Sequence, residues 1–185
     1  MFLEKISEKC CVWKWCLFSG KLKNKKWDYA IVSKTWNVNE ILWTVSIWVD
    51  NYKRVVFIKN YRHALDTICW ELPRGAMEKW ISTKENALKE FREEIWIKEK
   101  PIEIINLWKY ATDSGLIWWY VSYIVLKYDD FSKFDVWWEK DGSYEWIYEV
   151  KYFSKNEVEK MIKNNVIKDN FTIWAWWLLK ANNLV

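Results

Sequence analysis

Three carboxylates, Glu90, Glu93 and Glu94, stand at i, i+3 and i+4 in a stretch with helical periodicity. That spacing puts them on one helix face, where like charges repel by a few tenths of a kcal/mol. Glu93 has Lys89 one turn earlier as a candidate partner, whereas Glu90 has no basic residue at i±3 or i±4. A hard divalent cation relieves such repulsion, and oxygen ligands are what magnesium prefers. A plain solvated face carries the same pattern, so the preceding segment matters. Glu71-Leu72-Pro73-Arg74-Gly75 is a short loop whose glycine can bring its backbone carbonyl close to the same cation.

The elements that must position these groups are legible nearby. Ser82 and Glu85 form a Ser-x-x-Glu capping box that starts a helix, and Ala87, Leu88, Phe91 and Ile95 supply its buried stripe. A second box, Ser154 with Glu157, starts a helix burying Val158, Met161 and Ile162, and residues 171–181 predict a third. β-Branched and aromatic runs at 28–33, 41–49, 54–59, 102–107, 120–128 and 144–153 predict strands. The order implies α/β layers around a mixed sheet. No repeat or linker breaks the chain, so residues 1–185 are expected to form one domain, with 1–26 as an N-terminal extension or first strand.

The composition, 51% apolar and 29% charged, is that of an ordinary globular protein. No apolar run of membrane-spanning length and no signal-peptide core are present, which predicts a cytoplasmic chain with Cys10, Cys11, Cys16 and Cys69 as reduced thiols. With His63 as the lone histidine, no zinc ligand set is expected. Lys21, Lys23, Lys25 and Lys26 make a basic patch that can steer a phosphate-bearing ligand, although a solvated loop reads the same way.

Eighteen tryptophans against four glycines is an unusual ratio, since average glycine usage would give about thirteen. Trp27, Trp36, Trp137 and Trp138 sit in polar, turn-like surroundings, and Trp96 stands where glycine caps a helix. Many of these tryptophans are therefore expected to be UGA codons that the source reads as glycine. One of Trp176 and Trp177 is a candidate for a genuine tryptophan.

Residues 71–97, ELPRGAMEKWISTKENALKEFREEIWI, resemble the box of the Nudix hydrolases, G-x5-E-x7-R-E-U-x-E-E-x-G-U with U bulky and apolar. Gly75 falls on the first glycine; Glu90, Phe91, Glu93, Glu94 and Ile97 fall in register on the second half. Trp96 falls on the second glycine and Trp80 on another common glycine of the loop. Ile81 replaces the first Glu of the pattern and Lys89 its Arg, keeping the charge but losing the bidentate fork. Tyr61-Arg62-His63 and residues 110–115 resemble flanking segments of ADP-ribose and nucleotide-sugar pyrophosphatases, and the Asp169-x-x-Thr172 motif fits the same group.

The resemblance implies a Nudix fold, an α/β/α sandwich around a mixed β-sheet. It implies a Mg2+-dependent enzyme, with Mn2+ as an alternative ion, that cleaves the diphosphate of a nucleoside diphosphate linked to another group. Glu90, Glu93 and Glu94 would hold metal and water, with the Gly75 carbonyl as a further ligand. Arg62 and Arg74 are candidates for phosphate oxygens, with a surface ion pair as the bland alternative for each. Glu139 or Glu145 would serve as general base; His63 is a weaker candidate. The partner is a nucleoside diphosphate-type small molecule, with no nucleic acid or membrane expected and a homodimer left open. Housecleaning of nucleoside triphosphates, and a binding module with a degenerate box motivated by Ile81 and Lys89, are the competing readings. Nucleic-acid binding through the lysine patch and aromatics weakens if the tryptophans are glycines.

Overall fold

A computed structural model describes residues 7–11, 15–21, 28–33, 41–95, 99–114, 119–133 and 147–185. Side chains are described from Ile41 onward, except those of Ala64, Phe91, Glu93, Glu94 and Ile95. The chain divides into two compact units, Met1–Leu42 with Lys109–Val121, and Trp43–Trp108 with Ser122–Val185.

The first unit contains a three-stranded antiparallel sheet of β1 (Ser7–Cys11), β2 (Trp15–Lys21) and β3 (Asp28–Ser33). The predicted strand at 28–33 is β3. The two strands before it lie where an extension or a single strand was expected.

The second unit is built on a seven-stranded mixed sheet with three α-helices, so the α/β expectation holds at that level. The strands of that sheet are β4 (Ile41–Asp50), β5 (Val55–Arg62), β6 (Thr67–Glu71), β7 (Arg74–Ala76), β8 (Glu103–Ala111), β9 (Tyr120–Tyr128) and β10 (Ile147–Phe153), of which residues 41–42, 109–111 and 120–121 are counted with the first unit. The order is β10-β5-β4-β9-β8, with β6 added to β5 and β7 to β4. Central strands β4 and β9 are buried along most of their length, whereas the outer strands β8 and β10 interrupt buried positions with exposed ones. Covering of both faces explains the near-continuous apolar runs of the central strands.

Helix α1 (Thr83–Ile95) begins at the predicted box. The Ser82 N–H donates to Glu85 at 2.7 Å and the Glu85 N–H donates to the Ser82 hydroxyl at 3.2 Å. These bonds hold the Glu85 carboxyl below its usual range. That contribution is present above the ordinary Glu pKa and is lost as pH falls through the lowered value. Helix α2 (Lys155–Lys163) starts at the Ser154–Glu157 box and buries Val158; α3 (Asn170–Ala181) is capped by Asp169. Among the described residues no helix is long and apolar enough to cross a membrane.

The tryptophans fall into contrasting groups. Trp48 is fully buried, stacks on Tyr128 with ring centroids 4.6 Å apart, and donates its indole N–H to Ser46. Trp176 is buried as well, while Trp177 is exposed. Trp80 and Trp108 instead have φ of 76° and 73°, the two largest positive values among the non-glycine residues described, and both project into solvent. A bulky residue in that region is a conformational outlier, where glycine is unstrained. Trp27, Trp36, Trp96, Trp137 and Trp138 lie outside the described residues. The positive φ predicts that Trp80→Gly and Trp108→Gly each stabilise the chain by about 1–2 kcal/mol. A melting curve checks this, with a rise of about 2–4 °C per kcal/mol expected at this size; a fall in Tm contradicts it.

Candidate functional site

The site begins where the chain passes from one ladder of the sheet to another. Strand β6 runs against β5 as far as Glu71, opposite Ile58. Two residues later β7 pairs with β4 through Val45↔Arg74, Thr44↔Gly75 and Trp43↔Ala76. The corner between them, Leu72-Pro73, is buried. Proline has no N–H, so the corner offers one backbone donor, the Leu72 N–H, which is bound by the Thr172 hydroxyl at 3.0 Å. The Pro73 carbonyl accepts from the Ser46 N–H at 2.8 Å.

This corner delivers Gly75 onto α1. A Cβ at position 75 would lie 1.8 Å from the Glu90 carboxylate carbon, so a larger residue there would have to displace the far end of the Glu90 side chain. Glu90 is buried, so the helix face is not solvated at that position. Helix and loop are tied further on: the Glu78 N–H donates to the Asn86 side-chain oxygen at 3.3 Å, and Lys89 pairs with Glu78 at 2.8 Å. Lys89, expected as a partner for Glu93, reaches back to the loop; the Glu93 side chain lies outside the described residues. Glu78 is half-exposed, so the pair adds at most about 1 kcal/mol. Asn86 is fully buried one turn before Glu90, and its Nδ2 has no partner among the described residues.

Arg62 and Arg74 converge on Glu71, which is fully buried. Arg62 donates through Nε at 2.8 Å and through a second, shorter contact from its terminal nitrogen; Asn60 adds a bond at 3.3 Å. Arg74 stands 3.6 Å from Glu71, donates to Asp169 at 2.8 Å and lies over the Phe171 ring at 4.4 Å. The Arg74 side chain is 11% exposed, so its pair with Asp169 is an internal one rather than a surface one. Arg62 keeps about a third of its side chain in solvent. Burial pushes the Glu71 carboxyl upward, against the opposing pull of Arg62 and Arg74. The nearby Cys69 thiol is raised by burial and by the Glu71 charge, which makes it a poor nucleophile.

Glu93 and Glu94 lie on the α1 backbone three and four residues beyond Glu90, and their side chains are outside the described residues, as are Glu139 and Glu145 entirely. His63 is exposed and packs edge-on to Tyr61, with centroids 4.8 Å apart. Ile81 is half-buried. Among the described residues no group of three or more His, Cys, Asp or Glu side chains is gathered for a metal. The structure therefore brings Gly75 to Glu90, and Arg62 and Arg74 to Glu71.

No protein-family profile matches the chain, and comparison with curated proteins finds no match.

The Gly75 contact yields a direct expectation. Gly75→Ala must displace the Glu90 carboxylate, and because that is the far end of a flexible side chain the cost is expected at the low end of overpacking, about 1 kcal/mol. Urea unfolding measures it; an unchanged midpoint and slope would show that the two groups do not meet.

Proposed function

We propose that this chain is a Nudix hydrolase with the α/β/α sandwich of that family, a Mg2+-dependent enzyme that hydrolyses the diphosphate of a nucleoside diphosphate linked to another group. ADP-ribose and nucleotide sugars are the substrate classes favoured by the segments flanking the box. The observation that carries the reading is the contact of Gly75 with Glu90, because it joins the two halves of the box at the atoms that matter. The space a side chain would fill at position 75 is taken by a carboxylate, and the donor set of carboxylates and a backbone carbonyl is all oxygen, which suits Mg2+ or Mn2+.

Glu90, Glu93, Glu94 and the Gly75 carbonyl would hold the ion. When bound, it neutralises diphosphate charge and polarises water. The protein's own contribution is placement. The β7–β4 ladder registers Gly75, and α1 presents the carboxylates at one face. Arg62, with solvent access, is the better placed of the two arginines to meet a phosphate oxygen. Arg74 braces Glu71 and Asp169. Glu139 or Glu145 would take the proton from the attacking water.

The test uses the chain with glycine at Trp80, Trp96 and Trp108, assayed for Mg2+-dependent release of nucleoside monophosphate. ADP-ribose, nucleotide sugars, dinucleoside polyphosphates and nucleoside triphosphates form the panel. Turnover of a diphosphate-linked class is expected, with kcat reduced on the order of a thousandfold in Glu90→Gln and Glu94→Gln, about 4 kcal/mol. Ligand binding without turnover on any substrate would replace the enzyme by a binding module.

A further inference from the structure

The start of α3 grips the corner 72–74 from two sides. Thr172, 1% exposed, accepts the Leu72 N–H at 3.0 Å and donates its own proton to Asp169 at 2.7 Å. Asp169 also accepts the Thr172 N–H at 2.9 Å, which fixes it as the helix cap, and its other oxygen accepts from Arg74 at 2.8 Å. Phe171 lies under the same guanidinium. Backbone before the proline and side chain after it are thus held by one capping motif, a hundred residues on in sequence.

Helix capping alone does not call for this. An Asp cap needs only the N–H of a following residue, and a helical Thr hydroxyl ordinarily bonds nearby groups of its own helix. Here the hydroxyl is buried and spans to another element. Its acceptor role matters too, since Leu72 carries the one N–H of the Leu72-Pro73 pair and an unpaired buried donor costs about 1–3 kcal/mol. From the corner the chain runs directly to Gly75, where the Glu90 carboxylate occupies the space a Cβ would take.

We infer that Thr172 and Asp169 are positioning residues for the cation site, setting the corner so that Gly75 and Glu90 meet. The inference rests on the hydrolase reading. Neither residue touches the ion or the substrate; both act through residues 72–75. Thr172→Val removes the acceptor while keeping the shape, and Thr172→Ser restores it. Asp169→Asn keeps the size and weakens the hold on Arg74.

The experiment titrates the full chain with Mn2+ and follows the free-ion signal by electron paramagnetic resonance, alongside thermal unfolding and turnover. Thr172→Val is expected to weaken Mn2+ binding at least tenfold, with Thr172→Ser within about twofold of the parent chain. Turnover at subsaturating Mg2+ falls accordingly and recovers at high Mg2+, while KM for the nucleotide holds. A folded Thr172→Val chain with parental Mn2+ affinity overturns the inference, even if its Tm is lower. Should the valine variant fail to fold, Asp169→Asn decides: several-fold weaker Mn2+ binding supports the inference and unchanged binding overturns it. A parent chain that binds no Mn2+ overturns the hydrolase reading and this inference with it.

Discussion

No side chain larger than hydrogen fits at position 75 while Glu90 keeps its place. That close approach constrains everything around it. It coincides with the β7–β4 register that sets Gly75 opposite Thr44 and with the burial of Glu90 on α1. A one-residue slip of β7 would bring Arg74 or Ala76 to the helix and break the contact. The ties from Asn86 and Lys89 to Glu78 then close the loop over the same helix.

The ion cluster beside the corner works by a different balance. Glu71, buried with no exposed surface, is costly to ionise, and burial raises its carboxyl despite two arginines. Arg62 and Arg74 offset that cost, and Asp169 in turn balances Arg74. Such a cluster is not a large net source of stability, because desolvation cancels much of the attraction. Its value lies in geometry: removing one member leaves a buried charge unpaired, so the arrangement is held as a unit. Arg62 keeps about a third of its side chain in solvent, whereas Arg74 is nearly enclosed.

Much of this was readable in the residues, and what was not has identifiable causes. Both Ser-x-x-Glu boxes open helices, because the signal is local and reciprocal. The strands at 28–33 and 120–128 match as well, since β-branched and aromatic runs of that length report burial on a sheet. The β1–β2 hairpin was missed; its connection, residues 12–14, reads Val-Trp-Lys with none of the usual turn residues. Strands β6 and β7 are five and three residues long, too short for periodicity, and their pairing depends on partners far away in sequence. The partners of Arg62 and Arg74 were equally invisible, because Glu71 and Asp169 converge only in the folded chain. Position 108 shows the opposite case: β8 continues through it to Ala111, beyond the predicted end at 107, with a positive φ at a tryptophan.

The central claim, that Gly75 and the α1 carboxylates form one cation site for a diphosphate, is tested most directly by anomalous diffraction. Crystals of the chain would be grown with Mn2+ and a non-hydrolysable ADP-ribose analogue, and data collected at the manganese edge. The account predicts an anomalous peak within about 2.5 Å of a Glu90 oxygen and the Gly75 carbonyl, with the analogue's diphosphate against it. Manganese bound elsewhere, or the analogue bound away from Glu90, would contradict it.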